Sequence, residues 1–209
     1  LVIKPDKDGK PHRAKSRIVV LGNHEDRSFS KSQQYGPVLK YSSLRLLCSK
    51  AVEHKQIYNK AIAKMIFHAI LFEDKLIVVR PPVGDPGYAK DEYWLLNKFL
   101  YGLRRSPHHW YNMFPAALKD MGLSQSVHDP CLFSGVVNGD PTAASTRHNI
   151  YVGAYVDDFV FYSTDPAEEK IFQEALEAKL KVDFMGDADY FLGTAFTWQR
   201  HNDGHVSVH

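Results

Sequence analysis

Asp157 and Asp158 stand side by side between two runs of apolar β-formers, Ile150 to Val156 and Phe159 to Tyr162. Two strands separated by so little read as a hairpin with carboxylates at its tip. Neighbouring like charges beside a dry sheet repel and resist ionisation, a conflict that a bound divalent cation removes. Mg²⁺ takes one or two carboxylates and fills its octahedron with water and phosphate oxygens, so the pair suits phosphoryl transfer. A plain solvated turn would use the same residues, since Asp is favoured in turns. Lys15 and Arg17 flank Ser16 and are expected on one face of a strand, where they could meet phosphate or simply face water. His201, His205 and His209 recur every fourth residue, but Gly204 breaks any helix that would align them for zinc, and the segment reads as a solvated tail. His128 with Cys131 reads as loop packing, and Trp94, Trp110 and Trp198 as core.

Composition narrows the field. Over 209 residues, hydrophobic types make up 44% and charged types 24%, an ordinary globular balance. The formal net charge is only +2, so a nucleic-acid partner would have to be held by a locally basic groove. Cys48 and Cys131 lie far apart without metal-ligand spacing and read as thiols in a reducing compartment. No run approaches the roughly 18 apolar residues of a membrane span, and the N-terminus lacks a signal peptide's apolar stretch, so an intracellular place is expected. The first residue is Leu, in what reads as the middle of a strand, so a fragment cut from a longer polyprotein is expected.

The elements that must position these residues follow from periodicity. Leu1-Val2-Ile3 is expected to pair with Ile18-Val19-Val20-Leu21 across the turn-rich Pro5 to Gly9. Ser42 reads as the cap of a helix whose core side is Leu44, Leu47, Cys48 and Ala51. Leu76 to Val79 and Tyr93 to Leu96 read as strands, with a Gly- and Pro-rich loop at 83–91 between them. Ser106 and Pro107 start a helix that buries Trp110, Phe114, Ala117, Leu118 and Met121 and ends at Gly122. Pro115 falls in its interior, where a lost N–H and a ring clash cost about 3 kcal/mol or kink the axis. Residues 138–149 read as a loop. Asp165 and Pro166 open a last helix that buries Ile171 or Phe172, Ala175, Leu176 and Leu180. Tyr190 to Gly193 and Ala195 to Trp198 complete the strands. The order is that of an α+β fold, an antiparallel sheet with helices on one face.

Leu100-Tyr101-Gly102-Leu103-Arg104-Arg105-Ser106-Pro107-His108-His109-Trp110-Tyr111 reads as LYGL, two basic residues, SP and WY. Lys15-Ser16-Arg17, Tyr35-Gly36-Pro37-Val38, Asp129-Pro130-Cys131-Leu132-Phe133, Tyr155-Val156-Asp157-Asp158 and Tyr190-Phe191-Leu192-Gly193 accompany it. With these motifs in this order, nearly the whole chain resembles copia-type retrotransposon reverse transcriptases, the RNA-dependent DNA polymerase domain of a Pol polyprotein. The resemblance implies fingers and palm, an antiparallel palm sheet backed by helices, and no thumb or RNase H within this stretch. Residues 1–55 would be fingers, 56–82 a degenerate first palm motif, 83–105 the fingers–palm connection and 106–209 the palm.

In the reaction so implied, a primer 3′-hydroxyl attacks the α-phosphate of a dNTP and pyrophosphate leaves in line, with two metals at the attacking and leaving oxygens. Asp157 and Asp158 would hold Mg²⁺, with Mn²⁺ as substitute. Lys15 and Arg17 would contact the triphosphate; Tyr155, Gly102, Arg104, Arg105 and Ser106 would line the nucleotide site. RNA or DNA template with primer, and dNTP, are the implied partners.

One departure stands out. The family's first metal-binding Asp belongs to an upstream strand, and counting back from Ala69-Ile70-Leu71 and Arg80-Pro81-Pro82 places it on Ala61. A slip of one residue would offer Ile62 or Lys60, and no acid occurs between Glu53 and Glu73. The aromatic that screens the sugar 2′ position in the family falls on Ile66, beside Phe67. With one carboxylate lost and Lys60 or Lys64 repelling cations, metal binding and polymerisation are expected to be weakened. The alternative is a catalytically dead relic or domesticated domain that binds nucleic acid or a protein partner through the same cleft.

Overall fold

A computed structural model of the chain describes residues 2–5, 10–15, 18–25, 28–63, 76–138 and 149–209. Its helices and strands follow in chain order. They are β1 (Val2–Pro5), β2 (Pro11–Lys15), α1 (Lys31–Gln34), α2 (Tyr41–Glu53), β3 (Asn59–Ala63), β4 (Val78–Val79), α3 (Pro86–Ala89) and β5 (Trp94–Leu95). After them come α4 (Ser106–Asp120), β6 (Leu123–Gln125), β7 (Leu132–Gly135), β8 (Ile150–Tyr155), β9 (Asp158–Ser163), α5 (Pro166–Lys179) and β10 (Val182–Asp187). The last are β11 (Tyr190–Phe191), β12 (Thr194–Ala195), β13 (Trp198–Arg200) and β14 (Val206–Val208).

One six-stranded antiparallel sheet organises the molecule, in the order β10-β3-β9-β8-β7-β6. Alternation along β9 divides its side chains between two cores. Phe159 and Phe161 point to one, with Trp110, Phe114 and Leu118 of α4 and Phe172 and Leu176 of α5. Val160 and Tyr162 point to the other, with Leu44, Leu47 and Ala51 of α2 and the C-terminal Phe191 and Phe196. The α+β expectation holds as mixed helix and antiparallel sheet, but helices cover both faces, not one. Gly153 on β8 makes the second layer close: a Cβ there would stand 2.7 Å from Leu47 and 3.0 Å from Leu39.

The apolar faces of α4 and α5 match periodicity, and Phe172 rather than the exposed Ile171 is the buried residue of α5. Gly122 ends α4 at φ +95°. Asp165 caps α5 by accepting from the Ala167 N–H.

Several expectations shift. β1 pairs with β2 and not with residues 18–21, whose Val20 N–H instead donates to the Tyr101 carbonyl at 2.7 Å. Lys40 rather than Ser42 precedes α2, and Arg105 rather than Ser106 precedes α4. Residues 201–209 are no loose tail: β13 and β14 form a hairpin that buries Val206. The expected loop at 138–149 lies mostly outside the described residues, as do Arg17, Lys64, Ile66 and Phe67.

Candidate active site

The acidic hairpin is present, but its turn is one residue earlier than the sequence suggests. Tyr155 and Asp158 pair across β8 and β9, so Val156 and Asp157 form the turn and Asp158 is already in the strand. Val156 has φ +54°. A positive φ at the first of two turn residues is the place where hairpins prefer Gly, and a β-branched residue there stores strain on the order of 1–3 kcal/mol.

Two side chains from the LYGL–SP–WY segment reach that turn. The Trp110 indole N–H donates to the Val156 carbonyl at 2.6 Å, and the Tyr101 hydroxyl donates to Asp157 Oδ2 at 3.3 Å. Trp110 is buried and stacked on Phe114 at 5.3 Å between ring centroids, which fixes the indole plane. Expected only as core, it is both core and hydrogen-bond donor to the turn. Its type and the motif around it were visible; the direction of its N–H was not.

The turn after Tyr101 is held by close backbone packing. Gly102 has φ +94°, and a Cβ on it would stand 1.9 Å from the Val20 carbonyl oxygen. Gly22 faces it in return, 2.1 Å from the Gly102 oxygen by the same measure. Ser106 Oγ donates to the Leu100 carbonyl at 2.9 Å, closing the loop into α4. Arg104 donates to the Asn23 carbonyl at 3.2 Å, and the Arg105 guanidinium lies 5.3 Å from the centre of the Phe29 ring. These two arginines therefore tie the segment 22–29 to the start of α4. Lys15 ends β2, and Arg17 is outside the described residues.

Register decides which residue of β3 faces the carboxylates. Ala61 lies opposite Phe159 on one side and Phe184 on the other, is fully buried, and belongs to the core beneath α4 and α5. Ile62 lies opposite Asp158, half-buried, on the other face. A carboxylate at 62 would stand on the same face as Asp158, whereas one at 61, the position expected from counting, would enter the core. On the far side of Ile62 stands Asp183, exposed on the edge strand β10. Two strand spacings, roughly 9.5 Å, separate its backbone from that of Asp158.

The residues present do not fit a pair of metals. Asp157 and Asp158 offer adjacent carboxylates, Ile62 offers hydrocarbon, and the Val156 carbonyl is engaged by Trp110. Among the described residues no group of three His, Cys, Asp or Glu side chains is arranged to hold a metal ion. His201 and His205 are no exception: His201 Nε2 meets Ser207 Oγ at 2.9 Å across the terminal hairpin.

Burial, then the charge of Arg105 and of His108, pushes His109 down to about 4; its ring stacks on Phe99 at 3.9 Å. Burial pushes the Cys131 thiol up to about 12, so it is an inert thiol. Asp129, also buried, accepts from the backbone N–H groups of Lys40 and Cys131, both at 2.9 Å, which gives the DPCLF segment a structural job in linking α2 to β7.

A family model described as reverse transcriptase (RNA-dependent DNA polymerase) matches residues 2–208. The chain is 27% identical over 190 residues to the retrovirus-related Pol polyprotein from transposon RE2 of Arabidopsis thaliana, covering 91% of this chain and 12% of that protein. Against the Pol polyprotein from transposon TNT 1-94 of Nicotiana tabacum it is 27% identical over 206 residues, 95% of this chain and 14% of the relative. Against that from transposon RE1 of Arabidopsis thaliana it is 25% identical over 190 residues, 91% and 12%. The chain thus spans a small part of these curated relatives. No solved structure matches.

Proposed function

This chain belongs to the reverse transcriptase family, and on that premise we propose that it is the fingers and palm of a copia-type polymerase whose metal site is crippled. Residues 1–55 serve as fingers, 56–82 as the degenerate palm strand, 83–105 as connection and 106–209 as palm. The cleft binds a template with its primer, and Asp157 and Asp158 mark where a primer end would meet a dNTP. Lys15 and Arg17 serve the triphosphate, while Tyr155 and Gly102 border the nucleotide. Arg104, Arg105 and Ser106 shape the floor, the two arginines through Asn23 and Phe29 and Ser106 by closing the loop onto the Leu100 carbonyl.

The observation that carries this reading is Ile62 in register with Asp158. Family chemistry needs a divalent cation held by several oxygens, and an aliphatic side chain at that place contributes none. The chain keeps the binding surface and loses cation affinity. A primer-extension assay on RNA template with Mg²⁺ or Mn²⁺ tests this. Extension at background for the natural chain, together with salt-sensitive binding of primer–template, is the expected result. Robust template-dependent extension that Asp157→Asn abolishes would overturn the crippled-site reading.

No helix among the described residues is long and apolar enough to cross a membrane.

A further inference from the structure

We propose that Trp110 is a positioning residue, which with Tyr101 clamps the turn at Val156 and Asp157 in a backbone conformation that the turn's own residues disfavour. The inference rests on reading that turn as the site. Valine at φ +54° is a poor choice where glycine is at home, and such strain persists only where the surroundings over-determine the conformation.

The surroundings here do so at two successive residues. Trp110 donates to the Val156 carbonyl at 2.6 Å, a short N–H···O bond formed beside the apolar core where water competes poorly. Its ring cannot swing away, because Phe114 stacks on it. Tyr101 adds a longer contact to Asp157 at 3.3 Å. Its own backbone is anchored by Val20 N–H on the Tyr101 carbonyl and by the interlocked Gly22 and Gly102. The two donors come from either side of the LYGL–SP turn, so the whole segment 101–110 acts as one clamp. Its consequence is preorganisation: the protein, and not an arriving ion, aims the carboxylates. The turn therefore stays formed in a chain whose strand β3 contributes no acid.

Backbone hydrogen exchange, read residue by residue in protein free of metal and nucleic acid, tests the clamp. Trp110→Phe keeps the ring stack and removes the N–H, and Val156→Gly removes the strain. The expected result is exchange about 10-fold faster at residues 155–159 in Trp110→Phe, with β6 and β7 unchanged, as for a local opening. In the double variant, exchange at the turn returns to within about 3-fold of Val156→Gly alone, because an unstrained turn needs no clamp. Uniform acceleration across the sheet, no change at the turn, or no rescue by glycine would each overturn the proposal. Should Trp110→Phe fail to fold, Tyr101→Phe and Val156→Gly carry the test alone: the first must speed exchange at the turn and the second must slow it. A parallel titration with Mn²⁺, following broadening at 157 and 158, reads the site itself: weak binding is expected, and tight binding would overturn the crippled-site reading while leaving the exchange result standing.

Discussion

Two neighbouring residues on β3 have opposite fates, and the difference is one of parity. Ala61 faces Phe159 and the core under α4 and α5, while Ile62 faces outward beside Asp158. Ala61→Asp would bury an unpaired charge and should cost on the order of 3 kcal/mol or more, seen as a collapse of the denaturant midpoint. Ile62→Asp puts a third carboxylate beside two others. Without cations it should lower the thermal midpoint by like-charge repulsion, and added Mg²⁺ should restore it, since a ligand that binds only the folded state stabilises it by mass action. A thermal midpoint insensitive to Mg²⁺ in that variant would show that residue 62 does not face the carboxylates. Counting along the chain points to residue 61, one place from the residue paired with Asp158. Only the pairing with β9 tells which of two adjacent side chains faces the hairpin.

At the scale of elements, glycine contact and helix integrity make the claims. Gly102→Ala places a Cβ against the Val20 carbonyl at a positive φ, and is expected to cost about 2 kcal/mol or more in equilibrium unfolding. A loss below about 0.5 kcal/mol, the ordinary range for a neutral surface change, would mean that the segment at 18–22 yields. Pro115 sits inside α4, which nonetheless runs unbroken from Ser106 to Asp120. Pro115→Ala restores a backbone donor and should stabilise by about 1–2 kcal/mol after the loss of ring packing.

Elements with strong period were legible: the apolar faces of α4 and α5 and the two arms of β8 and β9 all follow from spacing. Others were not, for physical reasons. β10 is a sheet edge with mostly exposed or half-exposed residues, so it has no apolar signature. Residues 18–21 are apolar enough for a strand, yet their partner is the Tyr101 carbonyl, a contact no local pattern announces. Residue preference puts the turn on the two aspartates, because Asp favours turns and Val does not; Trp110, 46 residues away, works against that preference.

The whole molecule is a sheet between two cores, and its stability should carry one pH signature. His109 is held at about 4, against an ordinary value of 6.5, so folding favours the neutral imidazole. The unfolded chain therefore takes up the proton first, and the contribution of His109 is present above pH 6.5 and is lost as pH falls towards 4. The difference in denaturation midpoint between the natural chain and His109→Gln is expected to shrink across that window. A difference that stays constant with pH would remove His109 from the account. Other groups titrate over part of the same range, Glu169 among them with a carboxyl raised by burial, which is why the difference between the two proteins is the quantity to follow.

The two-core arrangement is compatible with family resemblance alongside the proposed loss of a metal donor. The family motifs build and brace the hairpin through Trp110 and Tyr101, hold the loop before α4 through Gly102 and Ser106, and link α2 to β7 through Asp129, and these contacts do not depend on an ion. A chain can keep them all and still lack the third carboxylate.

Calorimetric titration of Mn²⁺ into the natural chain, Ile62→Asp and Ala61→Asp is the most direct measurement of the central claim. Weak binding by the natural chain, at least about 10-fold tighter binding by Ile62→Asp that Asp158→Asn removes, and no gain from Ala61→Asp are expected. Tight binding by the natural chain, or a gain confined to Ala61→Asp, would contradict that claim.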